Sequence, residues 1–101
     1  MNDCKFFGKI VSRKITTEND TDKIELSITV QKQRKSKSGV SVSESSTLSF
    51  EAWDSAAATI EHNTTVGDYL IINSAAKVDN GRVYFRINEF RIVKSAALAD
   101  T

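Results

Sequence analysis

A chain of 101 residues carries one domain, with a core that buries roughly 60–65% of the unfolded surface. Fourteen basic residues against thirteen acidic ones leave a net charge of +1, so overall charge neither demands nor excludes a polyanionic partner and local distribution has to decide. The single Cys4 excludes an internal disulfide and fits a reducing compartment such as the cytoplasm, and the charge-interrupted opening MNDCKFFGKIVSRK reads as neither a signal peptide nor a membrane span.

The first strand is expected over about Cys4–Ile15. Phe6 and Ile10 fall on one face and Phe7, Val11 and Ile15 on the other, the pattern of a strand buried on both sides or bent between two sheets. Gly8 in its middle marks a bend, a bulge or a close approach. Thr16–Asp22 is a polar turn. The second strand, Lys23–Lys32, alternates cleanly: Ile24, Leu26, Ile28 and Val30 point in, while Glu25, Ser27, Thr29 and Gln31 point out. KQRKSKSG follows, with cations at Lys32, Arg34, Lys35 and Lys37 and no acid among them. Gly39 turns the chain, serine-rich Val40–Ser46 leads back, and the 23–53 segment reads as one long hairpin with a basic tip.

In the third strand, Thr47–Trp53, Leu48, Phe50 and Ala52 face inward, and Ser49, Glu51 and Trp53 face outward. An alanine-rich helix is expected from about Asp54 to His62, capped by Asp54 or Ser55. The fourth strand begins at Val66 and continues through the small residues Ser74, Ala75 and Ala76, which suit close backbone packing. Asp79-Asn80-Gly81 is a tight-turn signal of the type I′ hairpin. The fifth strand, Arg82–Val93, points Val83, Phe85 and Ile87 one way and Arg82, Tyr84 and Arg86 the other. Its apolar parity then shifts to Phe90 and Ile92, which implies a bulge near Asn88-Glu89. Residues 1–93 form the domain and 94–101 a short, mobile tail.

Five strands with one helix between the third and fourth is the order of the all-β OB-fold, a five-stranded Greek-key barrel in which the fifth strand lies beside the third. An open sandwich of different topology satisfies the same pattern.

The run KFFGKIV, Lys5–Val11, resembles the opening strand of bacterial-type single-stranded DNA-binding proteins. The second strand with its basic loop, SFEAWDSAAATIEHNTTVGDYLII, and the last strand from Arg82 to Val93 extend the resemblance over nearly the whole chain. It implies an OB-fold, base stacking at Trp53, and a nucleic-acid-wrapping loop carrying Lys32, Arg34, Lys35 and Lys37. It also implies a homo-oligomer, with a tetramer favoured over a dimer. The departures are specific. Arg34 and Thr47 stand where that family usually has aromatic residues, the last hairpin is cut to Asp79-Asn80-Gly81, and SAALADT lacks the acidic, hydrophobic-tipped tail that recruits replication and repair proteins. These features point toward a phage, plasmid or organelle-type member, a shortened one, or a relative such as primosomal protein N.

Single-stranded nucleic acid requires cations along its backbone path and flat aromatic surfaces for its bases. Trp53 meets the second need, or else it folds onto the helix or a subunit contact. Tyr84 and Arg86 project from the same non-core face, as binding groups or as ordinary surface. The basic tip is a phosphate contact or a solvated turn. Lys5, Lys9 and Arg13 share one face of the first strand, as a solubilising edge or a second path. Phe6, Phe7, Phe50, Phe85 and Phe90 read as core, with an exposed one possible in a subunit interface. One histidine and one cysteine do not make a zinc site, and the four glycines form no phosphate-cradling loop. The expectation is a non-enzymatic, sequence-tolerant binder of single-stranded DNA, without metal or cofactor, that protects strands in replication, recombination or repair. The alternative is an assembly module of primosomal type with weak affinity for DNA.

Overall fold

The computed structural model describes residues 3–35 and 37–96, with the backbone alone for 32–35 and 41–43. Its elements are β1 (Cys4–Glu18), β2 (Thr21–Lys35), β3 (Ser41–Trp53), α1 (Asp54–Asn63), β4 (Tyr69–Asp79) and β5 (Arg82–Val93). The strands close into a barrel in the order β1-β2-β3-β5-β4, with β4 returning to β1. This is the expected OB-fold rather than an open sandwich. Neighbours are antiparallel except β3 and β5, whose short parallel contact pairs Phe50 with Phe85 and Glu51 with Arg86.

The interior is filled by Ile10, Ile24, Leu26, Ile28, Phe50, Ala52, Leu70, Ile72 and Ile87, all buried, so the period-2 alternation of β2 and β3 is realised. Phe6, Phe50 and Phe85 meet with ring centroids 4.9–5.3 Å apart. Helix α1 adds Ala57 and Ile60 to that core and packs on β2 and β3. Among the described residues, no helix is long and apolar enough to cross a membrane.

Three hairpins set the registers. Asn19 and Asp20, both at positive φ, make a two-residue turn, so β1 and β2 run to Glu18 and from Thr21 rather than stopping at a longer polar turn. The φ values of both residues are those a type I′ turn requires, and Asn and Asp tolerate them. Asn80 and Gly81 repeat the device between Asp79 and Arg82. The long β2–β3 hairpin pairs Lys23 with Trp53 at one end and Lys35 with Ser41 at the other.

Strand β1 is shared as expected, pairing with β4 through residues 4–9 and with β2 through residues 8–18. Gly8 sits where it passes from one neighbour to the other. A Cβ there would lie 2.5 Å from Ile28 Cγ2 and 2.7 Å from the Thr29 carbonyl oxygen, so close approach is the reason for the glycine. Two bulges re-phase the chain. The predicted one in β5 falls at Asn88, because Ser74 pairs with Ile87 and Asn73 with Glu89. The other was not expected: Ile10 pairs with Ile28 and Ser12 with Ser27, which leaves Val11 as the extra residue.

Three further expectations about the fold are corrected. Neither Asp54 nor Ser55 caps α1. Trp53 occupies the N-cap position in extended conformation without a side-chain cap, and Asp54 has φ +56°. Strand β4 starts at Tyr69, because Val66 and Gly67 form a turn. The third concerns the start of the tail. Buried Asp68 accepts hydrogen bonds from the Thr65 and Ser95 backbone N–H groups, at 2.9 and 3.0 Å, and from Lys94 Nζ at 2.6 Å. Lys94 also donates to the Asn63 carbonyl. Lys94 and Ser95 are therefore held against the α1–β4 turn, while residues 97–101 lie outside the described residues.

Candidate nucleic-acid interface

The outward residues of β1, β2, β3 and β5 form cross-strand rows. One row places Lys14, Glu25, Glu51 and Arg86 side by side, the next Thr16, Lys23 and Trp53, and the row on the other side Ser12, Ser27 and Ser49. Glu51 is the centre. It faces outward from the barrel yet is buried, because long side chains from three directions cover it. Trp53 Nε1 donates to its Oε1 at 3.0 Å, and Arg86 donates to the same oxygen through Nε and Nη2 at 3.1 and 3.0 Å. Lys23 Nζ lies 3.5 Å from its other oxygen and 3.2 Å from Glu25.

Burial pushes the Glu51 carboxyl upward, but the Trp53 N–H, the Arg86 guanidinium and the Lys23 ammonium outweigh it and hold the group below the ordinary carboxylate range. Lys23 is raised above its ordinary value: burial opposes the charge, and Glu25, Glu51 and Glu18 overcome it. The same two cations stand over the indole ring, Lys23 Nζ at 5.1 Å and Arg86 Cζ at 5.6 Å from its centroid. That is cation–π distance. Trp53 is thus fixed at its edge by a carboxylate and covered by two cations.

Beside this cluster lies an open groove of about 570 Å³. Its lining includes Ser27, Ser49 and Tyr84, with Lys14 and the β4–β5 tip residues Asn80 and Arg82. In OB barrels generally, the face of strands 2 and 3 and the loops joining strands 1–2 and 4–5 take up oligonucleotides.

Of the residues singled out from sequence, Trp53 and Arg86 are in contact, and Tyr84 lines the adjoining groove with Glu51. Lys37 is exposed in the turn at the far end of the β2–β3 hairpin. The side chains of Lys32, Arg34 and Lys35 lie outside the described residues. Their backbone pairs with Glu44, Val42 and Ser41, so an acid stands in register opposite Lys32. Twelve residue steps along β2, ~40 Å at ~3.3 Å per residue, separate the Trp53 pair from the last pair before the tip.

Lys5 and Lys9 are exposed, but Arg13 does not continue their row. The Val11 bulge inverts its phase, and its guanidinium donates to the Glu61 and Thr64 carbonyls at the C-terminus of α1. Sequence reasoning missed Lys23 and the role of Glu51. Lys23 had a signal: it is the first residue of the 23–53 hairpin, and pairing the ends puts it opposite Trp53.

The sequence matches no family model, and a search of curated proteins returned no relative. Solved structures do resemble the fold. The protein PriB from Ralstonia solanacearum superposes with a TM-score of 0.77 at 10% identity, over 91% of this chain and 97% of that one. The Plasmodium falciparum single-stranded DNA-binding protein, in complex with single-stranded DNA, gives 0.75 at 9% identity, over 93% and 94%. That of Thermus aquaticus gives 0.79 at 10% identity over 96% of this chain, which spans about half (52%) of the Thermus chain. At such identities the likeness is one of fold, and the chain is therefore an OB-fold barrel built as these single-stranded DNA-binding and PriB structures are.

Proposed function

We propose that this chain binds single-stranded DNA with little sequence preference and without catalysis, and so protects exposed strands in replication, recombination or repair. The observation that carries the reading is the outer face on which Trp53 and Tyr84 stand among Lys14, Lys23, Arg82 and Arg86, with the acids Glu25, Glu51 and Asp79 between them. Aromatic surfaces interleaved with cations suit stacked bases and a tracking phosphate backbone, and stacking tolerates any base because every base has a flat face. Lys32, Arg34, Lys35 and Lys37 supply a second, separate group of cations at the hairpin tip in the sequence, with Glu44 in register opposite Lys32. The structural likeness to proteins that bind single-stranded DNA favours the same reading.

Filter binding of oligo-dT against duplex DNA tests it, with preference for the single strand expected. If the basic tip contacts about four phosphates, the log–log slope of affinity against salt should be near −3, at about 0.7 per phosphate. Serine at Lys32, Arg34, Lys35 and Lys37 should flatten that slope; an unchanged slope would shift the phosphate path to Lys5, Lys9, Arg82 and Arg86.

A second observation favours self-association. Phe7, 48% exposed, stacks on Tyr69 at 5.2 Å and pairs in register with Ile71, 42% exposed. These rings lie on the outside of β1 and β4, away from Trp53. The reading is a homo-oligomer, tetramer favoured over dimer, and this surface also keeps the assembly-module alternative in view. Light scattering should give a multiple of 11.2 kDa at micromolar concentration; a monomer would remove the oligomer from the reading.

A further inference from the structure

We propose that Glu51 sets the strength and salt dependence of nucleic-acid binding at the Trp53 face by holding Lys23 and Arg86 in reserve. In the free protein its carboxylate is their counter-charge, and a DNA phosphate has to compete with it for them. The inference rests on the reading of this face as the DNA interface. Three observations lead to it.

The first is the concentration of donors. Trp53, Arg86 and Lys23 all converge on one carboxylate, so the two cations nearest the candidate stacking ring are already partnered before any ligand arrives. The second is the asymmetry of exposure. The Glu51 side chain is 9% exposed, whereas that of Arg86 is 44% exposed. The guanidinium has room to turn toward a ligand in solvent, and the carboxylate cannot follow it. The third is the ring itself. Lys23 and Arg86 stand over the indole, so a base that stacks on Trp53 meets these cations on arrival. The phosphates next to that base are the anions best placed to draw them off Glu51.

The charge balance gives the sign. Each phosphate taken up by Lys23 or Arg86 releases counterions from DNA, but it leaves the buried Glu51 short of a partner, and that cost offsets part of the gain. Removing the carboxylate charge frees Arg86 for a phosphate at no such cost, while Lys23, its side chain 16% exposed, keeps Glu25 as a counter-charge at 3.2 Å. Glu51→Gln keeps the length of the side chain and a carbonyl oxygen to accept the Trp53 N–H. It should bind oligo-dT severalfold more tightly at low salt, with a log–log salt slope steeper by up to about 0.7, the value of one fuller phosphate contact at Arg86. A solely structural Glu51 gives the opposite result: a lower melting temperature with slope and affinity unchanged or reduced.

The experiment measures oligo-dT affinity across a salt series for the wild type, Glu51→Gln, Arg86→Gln, the Glu51→Gln/Arg86→Gln pair, and Trp53→Ala. The proposal expects the pair to lose most of the gain of Glu51→Gln, since that gain is delivered through Arg86. Should Glu51→Gln not fold, Arg86→Gln alone carries the test, with a weaker and shallower-sloped complex expected and an unchanged one overturning the proposal. If Trp53→Ala binds as the wild type does, the reading of the face itself fails. If Trp53→Ala loses affinity while Glu51→Gln leaves the slope unmoved, the face stands and the reserve does not.

Discussion

Replacing Trp53 with alanine is expected to weaken oligo-dT binding by roughly tenfold or more for each protomer engaged. Stacking of a base on an aromatic side chain is worth on the order of 1–3 kcal/mol by alanine substitution, and about 1.4 kcal/mol is a factor of ten. Trp53 is the only tryptophan, so its fluorescence reports this site alone and should be quenched in proportion to occupancy. The fold should survive, because the ring lies outside the buried core and its loss removes one of several donors to Glu51. Trp53→Phe keeps a flat ring and should keep most of the affinity, while losing the N–H that anchors the indole edge. Absent quenching, together with a lowered melting temperature and intact affinity in the alanine variant, would take Trp53 out of the site and move the reading toward the assembly module.

Asp68→Asn should lower stability by about 1–2 kcal/mol: the carboxylate is buried and accepts three hydrogen bonds, but its Lys94 partner is 53% exposed and can turn to water when the charge is lost. For a domain of this size that corresponds to a drop in melting temperature on the order of 5–10 °C. The Lys94 ammonium holds the Asp68 carboxyl well below the usual carboxylate range; burial opposes this, and the Ser95 and Thr65 N–H groups reinforce it. A carboxyl depressed in the folded state contributes stability that is fully present above its unfolded value of about 3.9 and is lost as pH falls toward the folded value. The difference in melting temperature between wild type and variant should therefore be full at neutral pH and shrink below about pH 4. Thermal unfolding followed by circular dichroism at pH 7 and pH 3 checks both parts. A neutral-pH difference of a degree or two would mean that the clamp on Lys94 and Ser95 contributes little.

What the sequence disclosed, and what it hid, follows the range of the interactions involved. The alternation in β2, the Asn80-Gly81 turn and the parity shift at Asn88 are local patterns, and each placed its element correctly. The bulge at Val11 is hidden in the sequence because isoleucine and valine on both faces of β1 leave the parity ambiguous there, and simple alternation sets Arg13 with Lys5 and Lys9 when it lies on the opposite face. Asp54 has the composition of a helix cap, but the chain leaves the barrel at Trp53 through a left-handed residue that no local preference announces. Glu51 alternates like any outward strand residue. Its burial comes from Lys23 and Arg86, distant in sequence and brought together by the barrel. Asp68 is similar, since its main partner, Lys94, lies beyond the last strand.

The separation between Trp53 and the tip of the β2–β3 hairpin gives that hairpin the character of a ruler. Under the proposed reading, one end offers a ring for stacking and the other a cluster of cations, beginning ~30 Å and ending ~40 Å away along two paired strands. An oligonucleotide too short to reach both ends engages only one of them. Once a strand is long enough, its second contact becomes intramolecular, with an effective concentration set by the flexibility of the intervening nucleotides rather than by bulk concentration. On that proposal affinity should rise with length in a step rather than in even increments, and the number of residues in a β-hairpin would set the minimum length of DNA held tightly.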